Sequence, residues 1–149
     1  MRKVLIVLAA LGVVGTAHAQ LPGLRKRGPV QAAQPVLVGI DALRADLVAR
    51  SGADTVYFGS DSIMLGGPAK ATLAAQAQWL LQHPEVVVRI EGHADPSDTR
   101  DHALAVGARR ALEVRDYLVL LGVPAVQLSA TSWGKERPGA GSAVTVLVR

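Results

Sequence analysis

The chain has 149 residues, of which half are hydrophobic and only 3% are aromatic, and its formal net charge is +4. This length accommodates one domain with short appendages, whose core must be built mainly from Val, Leu and Ala. The positive charge alone would allow nucleic-acid binding. The basic residues are dispersed, however, and they lack the interleaved aromatic residues of a single-strand binder, so we predict no nucleic-acid partner.

Residues 1–19 have the form of a secretory signal peptide. A basic start, Met1-Arg2-Lys3, precedes an apolar run from Val4 to Val14, and Ala17-His18-Ala19 provides a small-residue cleavage site. The apolar run is shorter than the roughly 20 residues that a membrane-spanning helix needs. We therefore predict export and cleavage, and retention as an uncleaved anchor stays open as the alternative.

The chain contains no cysteine. An exported protein can normally use disulfides, so this one must be stabilised by packing alone, and we predict no lipid anchor at the cleavage site. Residues 20–35 hold three prolines, two glycines and the basic cluster Arg25-Lys26-Arg27. Without apolar periodicity, this stretch is predicted to be a flexible linker, with its basic cluster in solvent.

The predicted domain covers residues 36–149, with its core at 54–149. A first helix is predicted between residues 36 and 50, where apolar residues recur at helical spacing. Residues 55–58 form a β-rich run and are predicted to be the first strand. A second helix is predicted to begin near Pro68, where a missing N–H costs nothing, and to stop before Pro84.

Residues 85–91 alternate in character, with Val86, Val88 and Ile90 on one face. This period of two predicts a strand with at least one buried face. A loop is then predicted from Gly92 to about Thr99.

The longest helical pattern runs from Leu104 to Leu121, with apolar residues stepping by three and four. Gly122 is predicted to end this helix, and Pro124 prevents its continuation. Residues 129–133 and 143–148 are two further strand candidates. The order of elements predicts an α+β fold, a two-layer β-α-β-α-β-β sandwich with helices on one face of a mixed sheet.

The segment Ile90-Glu91-Gly92-His93-Ala94-Asp95 is the best candidate for a functional site. An arginine pair, Arg109-Arg110, follows on the long helix, with Arg110 fifteen positions after Asp95. A carboxylate and a guanidinium can together hold a zwitterion, one binding its ammonium and the other its carboxylate. Adjacent helical residues point about 100° apart, so only one of the two arginines can face this site.

Geometry sets a condition on this pairing. If the helix begins near Asp101, Arg110 lies about 13 Å along it. Asp95 and Arg110 can then meet only if the loop folds back over the helix, or if the helix begins later, near Gly107. Glycine is unfavourable within a helix, which favours a late start or a kink there.

Other chemistry finds little support in the sequence. His93, Asp95 and His102 match no zinc or calcium spacing, so we predict no metal and no cofactor. His93 is expected to lie in a turn with its ring bonded to the backbone. There is no nucleophile elbow and no phosphate-binding glycine loop, so we predict no catalytic residues and no enzyme.

Taken together, these motifs resemble the OmpA-like peptidoglycan-binding domain, and within it the branch of the peptidoglycan-associated lipoproteins (Pal). The resemblance covers roughly residues 46–138, with a shorter match at Ala143–Leu147. Its most specific pieces are Val56–Ser62, Ile90–Asp95, Arg109–Ala111 with Tyr117-Leu118, and Ser132–Pro138.

The resemblance implies a periplasmic domain that binds the diaminopimelate of peptidoglycan stem peptides non-covalently and links layers of the cell envelope. Outer-membrane association and Tol-system proteins as partners are further implications. The family's aspartate and helix arginine fall on Asp95 and Arg110. Gly92, His93 and Arg109 are candidate supporting residues.

The sequence also departs from the family pattern. Asp98 replaces a usual glycine, Ala103 replaces a usual asparagine, and only Ala140-Gly141-Ser142 stands where an Asn-Arg-Arg triplet precedes the last strand. The segment after Pro138 is also shorter than usual. At about 1.5–3 kcal/mol per charged hydrogen bond, these losses predict weaker binding. The alternative function is therefore a degenerate OmpA-like domain that serves as an envelope protein-interaction module.

Overall fold

The computed structural model describes residues 39–139 and 141–148. The predicted signal peptide (1–19) and linker (20–35) lie outside these residues, and the domain start at residue 36 stays a prediction. Within the described ranges, no helix has both the length and the apolar character needed to cross a membrane.

The described residues form three α-helices and a four-stranded mixed sheet. In chain order the elements are α1 (Ile40–Ser51), β1 (Thr55–Tyr57), α2 (Gly67–Gln82), β2 (Val88–His93), α3 (Arg100–Leu120), a 3₁₀ turn (Ala125–Gln127), β3 (Leu128–Gly134) and β4 (Ser142–Leu147). The strand order is β1-β4-β2-β3. β4 runs antiparallel to both of its neighbours, and β2 and β3 are parallel. The predicted α+β fold is confirmed.

The alternation predicted for the second strand sets its burial. Val86, Val88 and Ile90 are fully buried, whereas Arg89 lies on the opposite face and pairs with Glu91 at 2.7 Å. The strand begins later than predicted, because the chain first turns after Pro84, where the N–H of Val86 donates to the carbonyl of His83.

The strand also ends later than predicted. Gly92 and His93 belong to β2, and the prediction that a loop begins at Gly92 is wrong. Gly92 is paired on both sides, with Ser132 of β3 and Ala143 of β4. These two ladders keep the strand extended through its glycine.

α3 begins at Arg100, so the predicted late start near Gly107 is wrong. The hydroxyl of Thr99 accepts a hydrogen bond from the N–H of His102 at 3.4 Å and caps the first turn. Gly122 ends the helix as predicted, at a φ of +98°. The Val123 N–H then returns to the carbonyl of Leu118 at 3.1 Å, which is a Schellman motif.

β2 crosses α3 at a contact between two glycines. A Cβ on Gly92 would overlap the carbonyl oxygen of Gly107, and a Cβ on Gly107 would overlap the hydroxyl of Ser132. Only a pair of glycines lets the two main chains approach so closely. The end of β2 therefore lies against α3 one turn before Arg110.

α1 is fixed to the rest of the fold by polar contacts. The Asp46 carboxylate accepts a hydrogen bond from the indole N–H of Trp79 at 2.7 Å, and this bond is the main reason that the pKa of Asp46 is lowered. Arg44 pairs with Asp54 just before β1, at 2.6 Å.

Candidate functional site

Arg110 is fully buried, at 0% exposure, and it binds three main-chain carbonyls. Its Nε donates to Ser62 at 2.9 Å, its Nη1 to His93 at 2.9 Å and its Nη2 to Gly59 at 3.2 Å. The Phe58 ring lies over the guanidinium, 5.3 Å from Cζ to the ring centroid. Arg110 thus joins α3 to the end of β2 and to the loop after β1.

The charge of this guanidinium is not balanced locally. Among the described residues, no carboxylate lies within ion-pair distance of Arg110. Carbonyl dipoles satisfy three of its five N–H groups, but they carry no net charge. A buried cation without a counter-charge is unfavourable, so the surroundings of Arg110 favour an anion.

Asp95 lies two residues beyond the end of β2, partly exposed. Its carboxylate accepts no hydrogen bond from any described residue. His93, whose carbonyl binds Arg110, is two positions earlier, which limits the separation of the two Cα atoms to about 7 Å. A Cβ on Gly141 would lie 4.0 Å from the Asp95 carboxylate and 3.8 Å from the Phe58 carbonyl. Gly141 therefore lies close to Asp95 and to Phe58, whose ring covers the guanidinium of Arg110. The three carbonyls that bind Arg110, with this ring, are called the Arg110 cage below.

His93 is the last residue of β2, so the expectation that it lies in a turn is wrong. It is 3% exposed, and its Nδ1 has no hydrogen-bond partner among the described residues. A Cβ on Gly139 would come within 2.9 Å of the ring, so glycine main chain covers the imidazole. Burial lowers the pKa of His93; the Glu91 charge and a hydrogen bond to the main chain of Arg137 oppose this shift, and the Arg137 charge adds to it.

The lowered pKa of His93 predicts that stability falls in mild acid. The unfolded chain binds this proton near pH 6.5, the ordinary value, and the folded protein binds it only at lower pH. The free energy of unfolding is therefore retained above about pH 6.5 and falls as the pH drops below it. Urea denaturation at pH 7.5 and 5.5 measures the change.

His93→Gln should reduce this fall, whereas His102→Gln, at an exposed position, should leave it in place. The assignment to His93 is wrong if both variants lose the same stability between the two pH values as the parent protein.

The other candidate residues have different surroundings. Arg109 is exposed on the outer side of α3, as expected for the neighbour of a buried arginine. Gly92 has no side chain to bind a ligand; its role is to let β2 pack closely against α3. Ala103, at the family's asparagine position, is fully buried, and a Cβ on Gly134 would lie 3.1 Å from its carbonyl carbon.

The loop that carries Asp95 is held by side chains of the residues that follow β3. The Lys135 ammonium donates to the carbonyl of Asp98, and Arg100 pairs with Glu136 at 2.9 Å. Asp98 itself lies 4.0 Å from the His102 ring. Among the described residues, no three His, Asp or Glu side chains form a group that could hold a metal ion.

Sequence reasoning missed the first partners of Arg110. The carbonyls of Gly59, Ser62 and His93 hold the guanidinium, and backbone acceptors leave no side-chain pattern to detect. The glycines at 139 and 141, one against His93 and the other beside Asp95, were visible as a small-residue run before the last strand. Their spacing was the available signal.

The OmpA family matches residues 57–146, which is more than half of the chain. The chain belongs to the OmpA family. The match includes the loop after β1, the whole of β2, α3 and β3, and β4 up to residue 146, so it contains every residue placed in the site above.

Relatives of this OmpA-family domain include peptidoglycan-associated lipoproteins. The one from Rhizobium meliloti (strain 1021) is 49% identical over 85 residues, which are 57% of this chain and 48% of the relative. The one from Pseudomonas aeruginosa is 42% identical over 99 residues, 66% of this chain and 58% of the relative. The chain thus spans about half the length of the curated relatives it matches.

Solved structures agree with the fold. The crystal structure of the peptidoglycan-associated lipoprotein from Burkholderia pseudomallei is 36% identical, with a TM-score of 0.62, and the match covers 64% of this chain and 91% of that one. A MotB-like protein from Desulfovibrio vulgaris is 18% identical with a TM-score of 0.59, covering 72% of this chain and 91% of that one. The second likeness shows the fold alone.

Proposed function

We propose that this OmpA-family domain binds peptidoglycan non-covalently in the periplasm, through the diaminopimelate of the stem peptide, and so links layers of the cell envelope. The observation that carries the proposal is the buried charge of Arg110, which no carboxylate of the described residues balances. Asp95, two residues after the His93 carbonyl that Arg110 binds, would supply the second charge. The names of the relatives, peptidoglycan-associated lipoproteins, support peptidoglycan as the ligand.

In this proposal the two residues grip the two charges at one end of diaminopimelate. Asp95 accepts hydrogen bonds from the ammonium, and Arg110 donates to the carboxylate, each a charge-assisted contact. Because Arg110 is fully buried, a ligand must displace part of its cage. The Gly59 carbonyl makes the longest of the three contacts, 3.2 Å, and Gly59 is exposed, so the ligand carboxylate replaces it.

The predicted signal peptide supports a periplasmic location for the domain. Outer-membrane association and contact with Tol-system proteins belong to the same proposal. No chemistry on the wall is required, because every group placed in the site binds charge rather than activating a nucleophile.

Co-sedimentation with purified sacculi that contain diaminopimelate tests the proposal. The full chain should pellet with sacculi at low salt, and Asp95→Asn should bind about 10–100-fold more weakly, because it loses a charged hydrogen bond of about 1.5–3 kcal/mol. Asp101→Asn makes the same charge change at an exposed position six residues on and should bind as the parent does.

If the parent protein stays wholly in the supernatant, wall binding is refuted. If Asp95→Asn and Asp101→Asn bind equally well, the assignment of Asp95 to the binding site is wrong. Zymography on gels that contain cell wall should show no clearing. A cleared band from the pure protein would contradict the non-catalytic role.

A second candidate function is a protein-interaction module of the envelope. The buried Ala103 and the short connection from β3 to β4 favour it, because residues that would strengthen ligand binding are missing there. Pull-down from an envelope extract should then recover a protein partner even with Asp95→Asn. Recovery of wall fragments without a protein would count against this alternative.

A further inference from the structure

β3 is an edge strand whose own sequence lacks the usual protection against pairing. The strand order places it at the end of the sheet, and no strand in the described part of the chain pairs with its outer side. Its seven residues, Leu128–Gly134, include no charged residue and no proline. Natural edge strands usually carry such residues to prevent the addition of another strand, so this edge is unusually accessible.

A notch runs along this edge on the helix side of the sheet. Its volume is about 320 Å³, and its lining residues are Ala108, Leu112, Ala130, Thr131 and Ser132. α3 therefore extends sideways beyond the last strand. A fifth strand beside β3 would direct its inward side chains into this space, because alternate strand residues face the helix layer.

The side of α3 above the notch carries three apolar residues. Ala108, Leu112 and Val119 follow each other at spacings of four and seven, which places them on one side of the helix. Leu112 is 47% exposed and Val119 is 38% exposed. Glu113, Arg115 and Asp116 lie between Leu112 and Val119 in sequence, and Arg115 and Asp116 pair with each other at 3.0 Å. None of the five residues that line the notch is charged, so the notch favours an uncharged occupant.

The size of this surface decides between a second copy of the chain and a peptide. A seven-residue strand is about 23 Å long, and one added strand with the helix flank is roughly 15 Å wide. The resulting patch of roughly 350 Å² is less than half of the about 800 Å² per partner that a stable protein–protein interface needs. A single added strand can still bind, because its main-chain hydrogen bonds supply affinity.

We propose that the outer edge of β3 and the notch under α3 form a docking site for one extended, uncharged peptide segment of a partner protein. The segment adds to the sheet as a fifth strand. Small or β-branched side chains at every second position fill the notch against Leu112. The site lies on the opposite side of α3 from the Arg110 cage and is independent of wall binding.

Random 12-residue peptides displayed on phage, selected against the full chain, provide the probe. Selected peptides should be uncharged and apolar at alternate positions. Synthetic versions should shift the NMR amide signals of β3 and of the α3 flank. Leu112→Asp should weaken their binding at least tenfold. Leu81→Asp, on α2 with a nearly equal exposure of 48%, is the matched control and should change nothing.

The proposal is overturned if the selected peptides bind Leu112→Asp and Leu81→Asp equally, or if their shifts lie elsewhere. It is also overturned if sedimentation equilibrium shows a dimer that Leu112→Asp dissociates, since the occupant would then be a second copy. Binding of a synthetic peptide of residues 20–38 at the notch would assign the site to the chain's own N-terminal segment instead. Asp95→Asn should leave peptide binding unchanged, which separates this test from that of the proposed function.

Discussion

Gly92→Ala is expected to lower the free energy of unfolding by about 3 kcal/mol, as overpacking against an immovable neighbour does. The new methyl group would overlap the Gly107 carbonyl oxygen and would lie 3.0 Å from the Ala111 nitrogen. All of these atoms are backbone, so no side chain can swing away. β2 must move off α3, and this movement would also separate the His93 carbonyl from Arg110.

Urea denaturation measures this loss, with Gly67→Ala as the control. A Cβ on Gly67 meets no atom within 4 Å, so this variant should be close to neutral. If the two variants unfold at the same urea concentration, the contact between β2 and α3 is looser than the structure indicates. Wall binding should weaken in Gly92→Ala together with its stability.

The second large effect is expected for Arg110→Met, which removes the guanidinium but retains much of its apolar volume. Three hydrogen bonds to carbonyls are lost, and the His93 carbonyl is left buried without its donor. We expect the free energy of unfolding to fall by about 2–4 kcal/mol, since each unsatisfied buried group costs about 1–3 kcal/mol. The carbonyls of Gly59 and Ser62, in the loop after β1, should regain hydrogen bonds to water. Wall binding should disappear.

Arg109→Met is the matched control, because Arg109 is the exposed neighbour on the same helix. The free energy of unfolding of Arg109→Met should differ from that of the parent protein by no more than about 0.5 kcal/mol, as at ordinary surface positions. Equal stability of the two variants would contradict a structural role for Arg110. The stability of Arg110→Lys should lie between those of Arg110→Met and Arg109→Met, because one ammonium cannot reach three diverging carbonyls.

Periodicity and chain-breaking residues were enough to predict the order of the elements. The alternation of Val86, Val88 and Ile90 identified β2, and Gly122 identified the end of α3. The prediction for Gly107 failed because helix propensity is a weak preference of about 1 kcal/mol, and tertiary contact overrides it. Gly107 is not a break in the helix but the point where β2 packs against it.

The candidate site was predictable only in part for a related reason. Asp95 and Arg110 were paired from charge and spacing, and this pairing stays a prediction; the structure shows that Arg110 binds the carbonyl of His93, two residues before Asp95. The carbonyl cage was not predictable, since every residue has a carbonyl and only the fold selects Gly59, Ser62 and His93. The burial of His93 likewise depends on glycine main chain from a distant part of the sequence.

The most direct test of the account is calorimetric titration of the full chain with a soluble stem tripeptide that ends in diaminopimelate, beside the same tripeptide ending in lysine. Lysine lacks the distal carboxylate that Arg110 is proposed to bind. We predict heat and saturation with the first peptide, loss of affinity in Asp95→Asn, and no saturation with the second. Equal affinity for the two peptides would contradict the claim that Arg110 and Asp95 hold the two charges of diaminopimelate.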